Sequence, residues 1–248
     1  MSMKRFPWKI IFYTSMFAIA MGFLETSVVI YLRALLYPKG FSFPLASMTY
    51  SLALTEILRE GATIIMLLCI GYVTGTNRHT RFAYFLYSFA IWDIFYYVFL
   101  KLLIQWPDSF LTWDILFLIP TNWVGPVIAP LIVSFTMIWF AVLIIWFDSK
   151  PINVRMNFTE LSLIIAGSLI LILAFIWDYS GFILNYYSFK ALWSVPAKDL
   201  LFLSYKYIPV HFNWLLFTFA ELTIVSGIFI FYLKNLNRLY IEKKNSLS

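Results

Sequence analysis

Charge is scarce in this chain of 248 residues: Asp, Glu, Lys and Arg make up 12% of it, about half the share usual in soluble domains. So few charges cannot keep a chain of this apolar content in water, which excludes soluble enzymes and disordered or collagen-like chains together. Cysteine is nearly absent. The one that occurs, Cys69, lies in an apolar run, so no internal disulfide scaffold exists. Histidine is limited to His79, in a basic turn, and His211, which excludes the His-rich sites of membrane di-iron oxidases and bis-His haem. No Gly-rich phosphate loop, internal repeat or low-complexity segment is found. The net charge of +6 sits mainly in short connections and in the tail 234–248. There it reports topology and anionic lipid headgroups, and no nucleic-acid partner is expected.

What the chain has in abundance is apolar surface: 62% hydrophobic residues and a mean hydropathy of +0.84. Six apolar runs, Ile10 to Leu32, Leu45 to Val73, Phe82 to Ile104, Val124 to Phe147, Phe158 to Trp177 and Ile208 to Leu233, are each long enough to cross a bilayer. In hydrocarbon the backbone must bond to itself, and these runs are too long and too unalternating for barrel strands. The expected fold is therefore an all-α integral membrane protein, a six-helix bundle forming a single polytopic domain over residues 1–248. The second run exceeds what a bilayer needs and should tilt, or kink near Gly61. The basic start and the Ala18 to Ala20 pattern resemble a signal peptide, but the run continues to Leu32, so a span is expected instead.

Alternate connections divide the basic residues unevenly. Lys4, Arg5, Lys9, Arg78, Arg81, Lys150, Arg155, Lys234, Arg238, Lys243 and Lys244 fall on one side, against Arg33, Lys39, Lys101, Lys190, Lys198 and Lys206 on the other. Cytoplasmic connections carry the excess, so both termini are expected in the cytoplasm. A cysteine placed at Ser188 should then react with an impermeant thiol reagent added outside intact cells. One placed at Asn77 should not, and the reverse pattern inverts the topology.

Two outer segments, 105–122 and 178–207, are rich in aromatic residues yet broken by Pro, Gly and charges. "FLTWDILFLIP" is too short to cross, so an extra re-entrant or interfacial helix ended by Pro120 is expected there. Trp106, Trp113, Trp123 and Trp193 would form a belt at headgroup depth; the sharper alternative is a lid over a site.

The informative residues are ionisable groups inside the spans: Glu25, Glu56, Arg59, Glu60, Asp93 and Glu221. Each is costly in hydrocarbon and points to function unless paired. Glu56 and Glu60 are four apart with Arg59 beside them and Thr63 next on the face; Asp93, Tyr96, Tyr97 and Lys101 form a polar stripe. Five acids face one mid-span arginine, so protonation, Arg33 and Lys101 reaching in, or a bound cation must balance them. Glu25, Asp114, Asp178 and His211 lie toward the outer side, so the pocket should open outward. The plainer alternative is that Arg59 bridges Glu56 and Glu60 and serves only helix packing. A carboxylate-rich metal site with His211 is conceivable. A serine dyad of Ser168 with His211 lacks any Gly-x-Ser-x-Gly frame. Gly71 with Gly75 and Ala18 with Gly22 are small-residue pairs for close helix packing.

At "GFLETSVVIYLR", "TEILREGATIIMLL", "FAIWDIFYYVFLK" and "WPDSFLTWDILFLIPTNWVGPVIAP", roughly residues 22–130, the chain resembles a group of bacterial polytopic membrane proteins with no established activity. The resemblance implies a bacterial inner-membrane location and no particular chemistry. The residues themselves suggest a pocket handling a cation, proton or small polar molecule. The alternatives are an enzyme acting on a lipid or quinone, with Asp93 or Glu60 as general base, and a non-catalytic subunit among other membrane subunits.

Overall fold

The computed structural model describes residues 5–245; Lys4 and the side chain of Trp193 lie outside what is described. Six of its helices are long and apolar enough to cross a membrane: α1 (Trp8–Leu36), α2 (Tyr50–Thr74), α3 (Arg78–Ile104), α4 (Ile128–Asp148), α5 (Phe158–Leu184) and α7 (Trp214–Asn245). A short helix, α6 (Ala197–Ser204), lies between α5 and α7. The protein is an integral membrane bundle whose outward-facing apolar side chains imply lipid contact.

Local chemistry sets several of the helix ends. Thr49 caps α2 by accepting from the Leu52 N–H at 3.3 Å. Asn77 and Thr80 form a reciprocal capping box at the start of α3. Asn77 also donates to Asp148 at 2.7 Å, tying that turn to the end of α4. At the other end of α3, Gln105 takes a left-handed conformation and Lys101 donates to the carbonyls of Gln105 and Pro107 at 3.2 and 2.9 Å. Lys101 therefore closes a helix end and does not reach the mid-span acids.

α3 is the hub of one half, packed on α1, α2 and α4, whereas α1 and α2 meet each other only sparsely. α5 pairs with α7 in the other half, and α4 touches both α3 and α7. Phe140, Phe147, Phe175, Phe217 and Phe231 fill the main core between α3, α4, α5 and α7. α2 begins at Tyr50 and runs unbroken through Gly61, so its span is shorter than the apolar run suggested.

Gly71 and Gly75 allow α2 to close on α3, as small-residue pairs do. A Cβ at Gly71 would stand 2.8 Å from Phe85 Cβ and 2.9 Å from the Arg81 carbonyl, while one at Gly61 would meet nothing. Gly71→Leu should lower stability by about 1–3 kcal/mol or more. Gly61→Ala should leave it equal or higher by up to about 1 kcal/mol. Thermal unfolding of both variants in detergent checks the pair, and equal effects would refute the packing argument.

The largest departure from the sequence expectation is between α3 and α4. The extra helix expected over "FLTWDILFLIP" is a β-hairpin, β1 (Trp113–Phe117) antiparallel to β2 (Trp123–Pro126). Asp114 faces Gly125 and Ile115 faces Val124, with an irregularity between Ile115 and Phe117. Pro120 biases Ile119 to an extended backbone, and Pro126 and Pro130 leave the return strand no room to start a helix early. Trp, Ile and Phe suit a pleated strand. A short extra helix exists, but as α6 in the second of the two aromatic segments. α5 also runs on to Leu184, so Asp178 belongs to a helix.

Three of the four tryptophans expected in a belt are half-buried and make contacts within the protein. Trp106 lies against the Arg33 guanidinium at 3.8 Å. Trp113 packs near Phe212, and Trp123 stacks on Phe175 at 6.1 Å. The hairpin carries Trp113 and Trp123 to these contacts, and the segment after α3 carries Trp106.

Candidate functional site

The hairpin reaches down between the helices. Its bend at Leu118 leaves a backbone N–H outside the strand ladder, and Glu60 Oε2 accepts from it at 2.9 Å. Glu60 is ten residues along α2 from Tyr50, about 15 Å along the axis. Irregular backbone at such depth survives only where protein buries it or it lines a cavity, and both conditions hold.

The cavity, about 140 Å³ in volume, lies in the wedge between α1, α2, α3 and β1. Glu25 and Arg33 come from α1, Glu56, Arg59 and Glu60 from α2, Trp92, Asp93, Tyr96 and Tyr97 from α3, and Asp114 from β1. Tyr37, Phe41, Leu45 and Met48, in and beside the α1–α2 connection, complete the wall. That connection is fastened at two points. The Ala46 N–H donates to the Tyr37 hydroxyl at 2.7 Å, and the Tyr205 hydroxyl donates to the Met48 carbonyl at 3.1 Å.

Arg59 bridges Glu56 and Glu25, not Glu56 and Glu60: Nε donates to Glu56 at 2.9 Å, and Nη1 donates to Glu25. The guanidinium fills the gap left where α1 and α2 scarcely touch. Thr63 donates to the Arg59 carbonyl at 3.1 Å. The second ion pair is Arg33 with Asp114, at 3.4 Å. Trp106 and Phe41 hold the same guanidinium by its faces, at 3.8 and 4.5 Å. Asp114 also accepts from the Tyr97 hydroxyl at 3.1 Å. Burial of Asp114, which is 2% exposed, pushes its carboxyl up to about 6, while Arg33 and Tyr97 pull it down.

Two acids remain without a basic partner. Glu60 has the Leu118 N–H, and Asp93 has the Ser134 hydroxyl at 2.8 Å; neither forms an ion pair among the described residues. Neutral donors hold these carboxyls in place without cancelling their charge.

Of the residues singled out from sequence, Glu25, Glu56, Arg59, Glu60, Asp93, Tyr96, Tyr97 and Asp114 share this cavity. Glu221 and His211 do not. Glu221 lines a separate cavity with Thr136 and Ser168, because α7 packs mainly on α5 and also on α4. His211 is exposed, and its N–H donates to Asp178 at 3.2 Å. Asp178 accepts in addition from the Tyr207 hydroxyl and the Val210 N–H, tying α5 to the segment before α7.

Sequence reasoning passed over Ser134 and Thr136, the partners of Asp93 and Glu221. Both were visible as isolated hydroxyls in the apolar run of α4. It passed over Glu160 too, a fully buried acid paired with Lys234 at 3.0 Å near the end of the bundle that holds the termini. Among the described residues no three His, Cys, Asp or Glu side chains converge as a metal site. No family model, curated protein or solved structure matches the chain, so its function is read from the geometry of this cavity.

Proposed function

We propose that the protein binds a small organic cation, an ammonium of a few heavy atoms, in the cavity between α1, α2, α3 and the hairpin. One observation carries the reading: five carboxyls and two guanidiniums line one space. Both guanidiniums are engaged by Glu25, Glu56 and Asp114, which leaves Glu60 and Asp93 as unbalanced acceptors. Aromatic walls from Trp92, Tyr96 and Tyr97 suit an ammonium, since ring faces attract cations. About 140 Å³ matches a molecule of roughly benzene size. The cavity lies toward the end of the bundle that carries the hairpin, which is the outer side if both termini are cytoplasmic. A bacterial inner membrane is the setting we propose, and the cation would then enter from outside the cell.

Calorimetric titration of the protein in phosphatidylcholine nanodiscs with ethylammonium and tetramethylammonium chloride tests the reading, with sodium chloride matching ionic strength. Saturable heat from at least one ammonium is expected. Heats indistinguishable from those of empty nanodiscs for both probes would overturn it.

A further inference from the structure

The other half of the bundle contains a second cavity, of about 130 Å³, walled by α3, α4, α5 and α7. Its lining is apolar, with Leu86, Phe140 and Ile224 prominent, except for Thr136, Ser168 and Glu221. Glu221 is only 8% exposed. One of its carboxyl oxygens accepts from Thr136 at 3.0 Å, and the other has no partner. A buried polar atom left so is costly and rare, and this one lies where a hydrogen-bonding group could satisfy it. Ser168 donates to the Ile164 carbonyl at 2.8 Å, which leaves its oxygen lone pairs to accept.

Size and lining narrow the occupant. An apolar protein cavity of about 150 Å³ stays dry and admits benzene, so this space fits one six-membered ring. A water molecule would fill little of it and find few of the polar partners it needs. The group on the ring must meet a carboxyl in either protonation state, and a hydroxyl does so because it both donates and accepts. Phe82 forms part of the wall and is 41% exposed on the bundle's flank, so the cavity adjoins the lipid. We propose that this cavity is a binding site for a phenol-type molecule, a hydroxyl-bearing aromatic ring that arrives through the hydrocarbon. The site is independent of the acidic cavity and of any cation bound there.

Fluorine NMR of the protein in phosphatidylcholine nanodiscs, titrated with para-fluorophenol and with fluorobenzene, tests the proposal against empty nanodiscs. A saturable bound resonance is expected for the phenol, with fluorobenzene roughly tenfold weaker for want of one hydrogen bond. Ser168→Leu fills the space and should remove the bound resonance, and Glu221→Leu should erase the preference between the probes. Equal affinities in the unmutated protein, no bound resonance at all, or a bound phenol that survives Ser168→Leu would each overturn it. Equal affinities or no bound resonance in the unmutated protein overturn the proposal even if a variant does not fold.

Discussion

Glu60→Gln combined with Asp93→Asn is expected to abolish ammonium binding while the folded protein remains abundant. The amides keep the geometry: the one introduced at position 60 can still accept from the Leu118 N–H, and the one at position 93 from the Ser134 hydroxyl, as the carboxyls do. The charge is removed, and an NH2 donor replaces the second acceptor oxygen. A hydrogen bond to a charged group is worth about 1.5–3 kcal/mol, so each single variant should weaken binding by roughly tenfold to a hundredfold. The pair should fall below detection by calorimetry in nanodiscs. Unchanged affinity in the double variant would show that the cation, if bound, sits elsewhere.

Arg59→Ala is expected to be the most damaging single substitution in the bundle. It strands Glu25 and Glu56, whose side chains are 12% and 11% exposed, and breaking a buried pair by removing one partner costs about 3–5 kcal/mol. The triple variant Arg59→Met, Glu25→Gln, Glu56→Gln should recover most of the loss, because no uncompensated charge remains. Unfolding in detergent, followed by helical signal, gives both numbers. A loss below about 1 kcal/mol for Arg59→Ala would mean that water already reaches these groups as it reaches a surface pair.

The six spans were legible because length and apolar continuity are local properties, and a chain that must satisfy its backbone in hydrocarbon has few choices. The clustering of Glu56 and Arg59 was legible from helical spacing alone. The hairpin was not. "WDILF" is a short apolar run whose periodicity fits strand or helix equally, and its fate is decided by pairing with Trp123 to Pro126 and by the Glu60 acceptor, all distant in sequence. Glu221 was misplaced for a related reason. Spacing tells which face of α7 it occupies but not which helix lies opposite, and that helix is α4, through Thr136. The plainer alternative, Arg59 bridging Glu56 and Glu60, does not hold in its second partner, because Glu25 on another helix takes the guanidinium instead.

The sparse meeting of α1 and α2 bears on how the chain is built during synthesis. Two successive helices with little surface in common cannot hold one another as a finished pair. Their polar groups, Glu25, Glu56 and Arg59, can find each other early, but the apolar faces wait for α3, which packs on both. The hairpin follows α3 in the sequence and needs the already inserted Glu60 to receive its bend. Synthesis delivers the parts of this half in that order, walls, then hub, then strand pair, and the cavity has all its walls only once the last is in place.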